Sequence, residues 1–400
     1  MRRCGAPFAA GWAKLTVMPR PGYDSVLLVT GYPSLQARRM IEQIIATEPR
    51  SLVYTLKTPE TPEALETPLE VPAPELELSA EQRARVVFLE GTPHAMDLGL
   101  SGAEFRQLTR EVDRVHHLAH VGSSAVDRRT AHTINVVGAA EILEFSRAAS
   151  HLKCLVVHST AHVSGDRTGV VYEEDLDRGQ SFRSDADETR MRAEVLLRRA
   201  IREVPIAVVR PTTIVGATGA GESDRLEGIY LLVLLVVATP AEIAIPFPGR
   251  GDTPLNIVPL DYAIRAAHAI GRHPSAPGRT FHLADPNPLS ARSAFELVTH
   301  AGGRRTTKGS IPSNLAKALL RTPGIDRFAR SPKAFVEQLT SNVRYDTRNT
   351  DQVIGSAGIT CPPFESYVDD LVNVVREHVK ARQRRRESVV DEVEIDDPLS

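Results

Sequence analysis

Cysteine is scarce in this 400-residue chain, with only Cys4, Cys154 and Cys361. They lie far apart and form no C-x-x-C pair. That excludes a disulfide framework and a thiolate zinc site, and it points to a reducing compartment, so the expected location is cytoplasmic. Neither sign of charge dominates. Lys and Arg number 48 against 50 Asp and Glu, a formal charge of −2. The electrostatic case for nucleic acid or an acidic surface as partner is therefore absent. A membrane span is absent too. The longest apolar run, "IYLLVLLVVA" from Ile229 to Ala238, is about half of what a bilayer requires and reads as a buried helix. The opening "MRRCGAPFAAGWAKLTV" lacks the continuous apolar stretch and cleavage site of a signal peptide. Residues 1–23 are read as a disordered leader, with Met18 as an alternative start.

What is present is a long alternation of strand and helix patterns. "SVLLVT" is an apolar run ending at Gly31, and "LQARRMIEQIIATEP" follows with apolar residues at helical spacing. "SLVYTL", "ARVVFLEG", "RVHHLAH" and "LKCLVVHST" read as further strands, and "IAVVRPTTIVG" as a strand running into a loop. Between them lie a Pro- and Glu-rich loop after Lys57 and the helices "AEFRQLTREV", "TAHTINVVGAAEILEFSRAA" and "AEVLLRRAIREV". Such alternation implies an α/β fold, a doubly wound parallel sheet with helices on both faces. Its ligands bind at the carboxyl ends of the strands, where Gly31, Ser159, Thr160 and Pro211 converge. The alternation loosens after about Gly216. The expected organisation is a nucleotide-binding domain over 24–216 and a smaller carboxyl-terminal α/β substrate domain over 217–382, some of whose elements return to the first. Its last helix is expected from about Pro363 to Arg382, followed by a charged disordered tail over 383–400.

Several segments occur together in a recognisable order: "VTGYPSLQARR", "MDLGLSGAEF", "NVVGAAEILEFSR", "VVHSTAHVSG", "AEVLLRRA", "VVRPTTIVG" and "NIVPLDYAIRAAHAI". The chain thereby resembles the extended short-chain dehydrogenase/reductase superfamily. The likeness is nearest to its thioester reductase and fatty acyl-CoA reductase branch, on "TGYP" and "LGLS". The resemblance implies a Rossmann-like fold, NADP or NAD as cofactor and a small-molecule or acyl-thioester ligand. A homodimer is a possible assembly.

Residue by residue, the resemblance places the phosphate turn at Gly31, Tyr32, Pro33, Ser34, Leu35 and Ala37. Where the family has three glycines, this chain keeps Gly31 and has Ser34 and Ala37. A Cβ at Ser34 intrudes on the phosphate path, although its hydroxyl is able to donate; the other reading is a tight turn without nucleotide. After the second strand, Lys57 stands where an acid would bind an unphosphorylated ribose, which suits a 2′-phosphate and so NADP; an ordinary loop lysine is the other reading. Gly91-Thr92 replaces the Gly-Asp that meets adenine in related enzymes. Ala119, Pro211 and Thr213 complete the implied cofactor contacts.

Thr160 takes the place of the hydroxyl that donates to the substrate oxygen, or else caps its loop. His162 is a nearby ionisable group, either an acid or structural. Within "DETRMRAE", Ala193 and Glu194 fix the register, so the family's Tyr-x-x-x-Lys falls on Ala186 and Arg190. Ala186 is no acid or base. Arg190 would still hold ribose hydroxyls but relays protons poorly. Tyr172, Asp187 and Glu188 are other candidate acids, the last two better read as complements of a helix dipole. His116, His117, His120 and His158 invite a metal reading, which strand alternation opposes by sending neighbours to opposite faces. The expected function is a nucleotide-binding member with a degenerate active site and weak or no oxidoreductase activity. The alternatives are an active NADPH-dependent thioester reductase and, last, a sugar-nucleotide epimerase or dehydratase.

Overall fold

The computed structural model describes residues 20–57, 76–122, 126–218, 229–238, 245–248, 251–311 and 341–395. The expected leader up to residue 19, the Pro- and Glu-rich loop beyond Lys57 and the end of the tail lie outside them. Strands β1 (Ser25–Tyr32), β2 (Ser51–Lys57), β3 (Val86–Glu90), β4 (Arg114–His117) and β5 (Cys154–His158) alternate with helices α1 (Leu35–Thr47), α2 (Ala80–Arg83), α3 (Gly102–Glu111), α4 (Arg128–His132) and α5 (Gly138–Ala148). Then come β6 (Gly169–Val171), α6 (Asp185–Arg199), β7 (Ile206–Pro211), β8 (Thr213–Val215), α7 (Ile229–Ala238), β9 (Ile245–Pro248) and β10 (Ile257–Pro259). The chain continues through α8 (Leu260–Arg272), β11 (Thr280–Leu283), α9 (Ala291–Ala301), β12 (Thr306–Ile311), β13 (Val343–Tyr345), α10 (Arg348–Ile354) and α11 (Val368–Ile395).

Seven strands form one parallel sheet in the order β11-β7-β5-β4-β1-β2-β3. Side-chain alternation explains its two covered faces. Leu27 and Val29 of β1 join the core that contains α1 and α8, while Val26 and Leu28 join the opposite core with α3, α5 and α6. Helix α1 buries Leu35, Ala37, Met40, Ile41, Ile44 and Ile45, the stripe its apolar spacing predicts. A further apolar cluster joins α7, α9 and α11. Every residue of α7 from Ile229 to Val236 is buried, so that apolar run is a core helix. No helix among the described residues is long and apolar enough to cross a membrane.

Three elements differ from their expected form. The helix expected from Thr130 to Ala149 is divided by a π-helical turn at Thr133–Val137. Asn135 in that turn bonds to groups outside the helix. The strand expected from Ile206 to run into a loop by Gly216 is followed there by a second strand: β7 ends at Pro211 and β8 begins at Thr213, and the two pair in different sheets. The last helix starts at Val368 rather than Pro363 and runs to Ile395, so the charged segment after Arg382 is helical at least that far. The described residues begin slightly before the expected boundary, with Arg20 donating to Tyr54 and Glu111.

Elements from the carboxyl-terminal part of the chain join this core: β11 extends the main sheet beside β7, α8 packs on α1, and α10 packs on α8 and β11. The loop before α6 is sewn to them by Glu173. Its carboxylate accepts from the backbone N–H of His282, Asn349 and Thr350, and from the Thr350 hydroxyl.

A second buried carboxylate fixes α6. Glu194 accepts from Arg210 Nε on β7 at 3.0 and 3.1 Å, from Ser159 Oγ at 3.0 Å and from Arg198 Nε at 3.1 Å. The Glu194 and Arg210 side chains are each 1% exposed. Burial alone would raise this carboxyl's pKa; Arg210, Arg198 and Ser159 outweigh it and hold the pKa below its ordinary value. Removing one partner of such a pair is more harmful than removing both. Arg210→Ala is expected to lower unfolding stability by about 3–5 kcal/mol. Replacing the pair with Glu194→Leu and Arg210→Met is expected to lower it less, both measured by urea denaturation.

Candidate active site at the carboxyl edge of the sheet

The loops after β1, β4, β5 and β7 meet at one edge of the sheet. Strand order reverses between β1 and β4, where such sheets open a crevice. Gly31 has φ +94°, and a Cβ there would lie 2.7 Å from the backbone of Leu118 and 2.8 Å from that of Ala119. Both the turn and the close approach therefore demand glycine. Thr30 closes the same junction: its hydroxyl accepts from Leu118 N and Ala119 N, each at 3.2 Å, and lies 3.0 Å from His117 Nδ1. The sequence reading missed Thr30, whose only signal is its place before Gly31.

Tyr32 and Pro33 are joined by a cis peptide, and the Tyr32 ring packs edge-on against Phe88. Ser34 is the N-cap of α1. Its hydroxyl accepts from Ala37 N at 3.4 Å, so this oxygen faces the helix end, while its own proton remains a possible donor. Leu35 and Ala37 are buried beneath the helix, where the small Ala37 suits close packing. No acidic residue occupies the first turn of α1. Its partial positive charge is thus unopposed locally, and these residues fit a dinucleotide pyrophosphate. The backbone of Lys57 ends β2 in register with Tyr32 and Glu90. Gly91 meets Leu98 O closely, and Asp97, Leu98 and Gly99 follow one another at positive φ.

Beside the turn, Thr160 caps a short helical turn, Ala161–Ser164, by accepting from His162 N at 3.2 Å. Its hydroxyl is buried at the strand end and makes no other bond among the described residues. His162 Nε2 lies 3.3 Å from Thr213 Oγ1. The imidazole reaches solvent, yet the protein packed around it lowers its pKa; Arg190 and Arg183 add to this and Asp187 opposes it. Pro211 ends β7 beside Leu283.

Ala186 is buried in the first turn of α6 and presents only a methyl group. Arg190, one turn later, donates from Nη2 to His158 O at 3.2 Å and to Ser159 O at 2.8 Å. Its guanidinium thus braces the end of β5. Burial pushes its pKa down to about 10, still protonated at neutral pH, and its buried Nε has no hydrogen-bond partner. Asn135 ties three pieces of the edge together. Its amide donates to Val121 O at 3.1 Å and Thr189 Oγ1 at 3.0 Å, and its oxygen accepts from Val121 N at 2.9 Å.

The other candidate acids are dispersed. Asp187 accepts from the Ser184 hydroxyl, and Glu188 pairs with Arg192 and Arg128, as suits a helix start. Tyr172 is 47% exposed with Arg348 over its ring. A phenol the sequence did not reveal lies nearer: Tyr345 on β13, 3.0 Å from Ser164 Oγ and within electrostatic reach of Asp187 and Arg183. No motif around "SNVRYDT" marks it, because only tertiary pairing of β13 with β6 brings it there.

The histidines separate by strand face. His116 Nδ1 lies 3.2 Å from His158 Nε2 on one side, whereas His117 meets Thr30 on the other. Among the described residues there is no group of three or more potential metal ligands.

Comparison with known proteins gives consistent findings. The family model described as male sterility protein, an NAD-binding family, matches residues 29–267. Fatty acyl-CoA reductase 1 of Arabidopsis thaliana is 20% identical over 370 residues, 76% of this chain and 72% of that protein. The alcohol-forming fatty acyl-CoA reductase of Simmondsia chinensis is 27% identical over 173 residues, 40% of this chain and 35% of that protein. Among solved structures, the terminal R domain of the myxalamid PKS-NRPS pathway superposes with TM-score 0.74 at 21% identity, covering 90% of this chain and 92% of that domain. UDP-glucuronic acid 4-epimerase from Bacillus cereus, in complex with NAD, superposes with TM-score 0.63 at 16% identity, covering 89% and 98%. At these identities the structural likeness shows the fold, which reductases and epimerases share.

The buried histidines make stability depend on pH. Burial pushes His117 down to about 4 and His158 and His282 down to about 3. The unfolded chain takes up these protons near pH 6.5, so the stabilisation is complete above that pH and is lost as pH falls towards the folded values. Each such histidine removes about 1.4 kcal/mol per pH unit below 6.5. The urea midpoint is expected to stay level above pH 7 and to fall steeply between pH 6.5 and 5. A level midpoint across that lower range would contradict their burial in neutral form.

Proposed function

The chain belongs to the male sterility protein family, and from that premise we propose that it binds a nicotinamide dinucleotide at this edge with its hydride-transfer chemistry weakened or lost. Within the extended short-chain dehydrogenase/reductase superfamily it lies on the branch of fatty acyl-CoA and thioester reductases. NADP is favoured over NAD by the position of Lys57 at the end of β2. Pyrophosphate would lie against the first turn of α1, beside Gly31 and Ser34, with Ala119 and Pro211 flanking the crevice. When bound, the nicotinamide supplies a hydride.

The carrying observation is the buried methyl of Ala186 where the family places its phenol. Thr160 is able to donate one hydrogen bond to a substrate oxygen, but a hydroxyl of ordinary acidity does not replace a tuned phenol. Arg190 stays protonated and is engaged with His158 O and Ser159 O, so it holds the strand end without relaying a proton. Loss of a general acid typically lowers a rate by about 10²–10⁴.

Calorimetric titration with NADPH and NADH is expected to show binding, and NADPH oxidation with an acyl-CoA is expected to be slow or absent. The double variant Ala186→Tyr, Arg190→Lys is expected to raise that oxidation by about 10²-fold or more, provided its thermal unfolding shows it folded. Robust oxidation by the unaltered protein, abolished by Thr160→Ala, would overturn the reading. One observation favours an active thioester reductase instead: the Tyr345 phenol beside Ser164, Asp187 and Arg183. On that second reading, Tyr345→Phe abolishes the robust oxidation and leaves NADPH binding intact.

A further inference from the structure

Helix α11 begins by the rules of helix electrostatics and ends against them. Asp369 and Asp370 stand in its first turn, where the dipole favours acids, and no basic residue stands in its last. Val368, Leu371, Val372 and Val375 bury its first half in the apolar cluster with α7 and α9, and Val379 packs against that cluster. Arg376 donates to Ala301 O at 3.0 Å, and Lys380 pairs with Glu377 at 2.8 Å. The backbone stays helical from there to Ile395.

Charge along that last stretch falls into two blocks. Arg382, Arg384, Arg385 and Arg386 come first, then Glu387, Asp391, Glu392 and Glu394. Within one helix this order is unfavourable. Arg382 and Arg386 stand four apart, as do Glu387 and Asp391, so like charges are neighbours on the helix surface. The single opposite pair at such spacing is Arg384 with Glu387. Glu392 and Glu394 also fall at the negative end of the dipole. A helical extension of about four turns has little stability of its own, so this one requires a complementary surface.

The same sequence supplies that surface. When the stretch is laid antiparallel on a second copy with Ser388 at the centre, position 382 meets 394, 384 meets 392 and 385 meets 391. Arginine stands opposite an acid at each, and two-fold symmetry repeats every match. A parallel pairing would set arginine against arginine. Positions 389, 390 and 393 are all valine and fall on one side of the helix, so a short apolar strip accompanies the charges. A uniformly acidic or basic partner would match one block and oppose the other, whereas a copy of this helix matches both.

We propose that the end of α11, residues 382–395, is a docking surface for a second copy of this chain, the two helices pairing antiparallel through their opposite charge blocks. The pairing is independent of the nucleotide reading. It is led by charge with little apolar area, so it is reversible and sensitive to salt.

The test is sedimentation of the full chain over a range of concentrations. A dimer is expected at about 50 µM in low salt, with its dissociation constant rising about 10-fold or more between about 0.05 and 0.5 M salt. The variants Arg384→Glu/Arg385→Glu and Asp391→Arg/Glu392→Arg are each expected to be monomeric, because like charge then meets like. An equal mixture of the two is expected to dimerise again, since each supplies what the other lost. That recovery separates a lost interface from a lost fold. NADPH binding, measured by calorimetry, is expected to be the same in both variants as in the unaltered chain. A monomer at about 100 µM in low salt, a dimer that survives both charge reversals, or a mixture that stays monomeric would overturn the proposal. So would a chain that remains monomeric but binds vesicles of phosphatidylserine and phosphatidylcholine, which would assign the basic block to a membrane surface.

Discussion

The carboxylate of Glu194 is the point on which the arrangement of the ligand edge depends. It is enclosed between α6, the end of β5 and β7, where Ser159, Arg198 and Arg210 all donate to it. A buried carboxylate tolerates little displacement, because each lost donor exposes an unpaired charge to a poorly polarisable interior. Helix α6 is therefore held at a fixed height above the sheet. Ala186 and Arg190 ride on that helix, and Thr160 follows directly after Ser159 on the strand. The spacing of these positions is thus set by an ion pair outside the proposed cofactor site.

This separation explains how positions of the site change while the scaffold stays. Ala186 lies a full two turns from Glu194, and its methyl group fits without disturbing the pair. Arg190 retains the cation of its position but turns it on the carbonyls of His158 and Ser159. On the proposed reading the edge keeps its scaffold and lacks the phenol, since Ala186 presents only a methyl group. Asn135 contributes in the same way, holding the β4 loop and α6 together through Val121 and Thr189.

Much of the fold is legible in the sequence because it depends on local periodicity. Apolar β-branched runs mark the parallel strands, and the stripe from Leu35 to Ile45 marks α1. The register of "DETRMRAE" is enough to locate Ala186 and Arg190 on α6. Less legible is everything that depends on contacts between distant segments. The π-helical turn at Asn135 has no periodic signal, and the partner of that side chain, Val121, lies on a separate loop. Ser34 reads in the sequence as an obstacle to phosphate, whereas its hydroxyl caps α1, which only the turn geometry reveals. Tyr345 carries no motif at all. Its importance follows from where β13 comes to rest.

The seam at Glu173 bears on how this protein is divided and inherited. One carboxylate before α6 receives the N–H groups that open α10, and β11 lies within the same sheet as β1. A cut near residue 216 would strand an acidic side chain in the first piece and leave an uncapped helix and an unpaired strand edge in the second. Neither piece is a module that a gene fusion or exchange could carry alone. The contacts that hold the sheet together therefore reach from the first strand past α10.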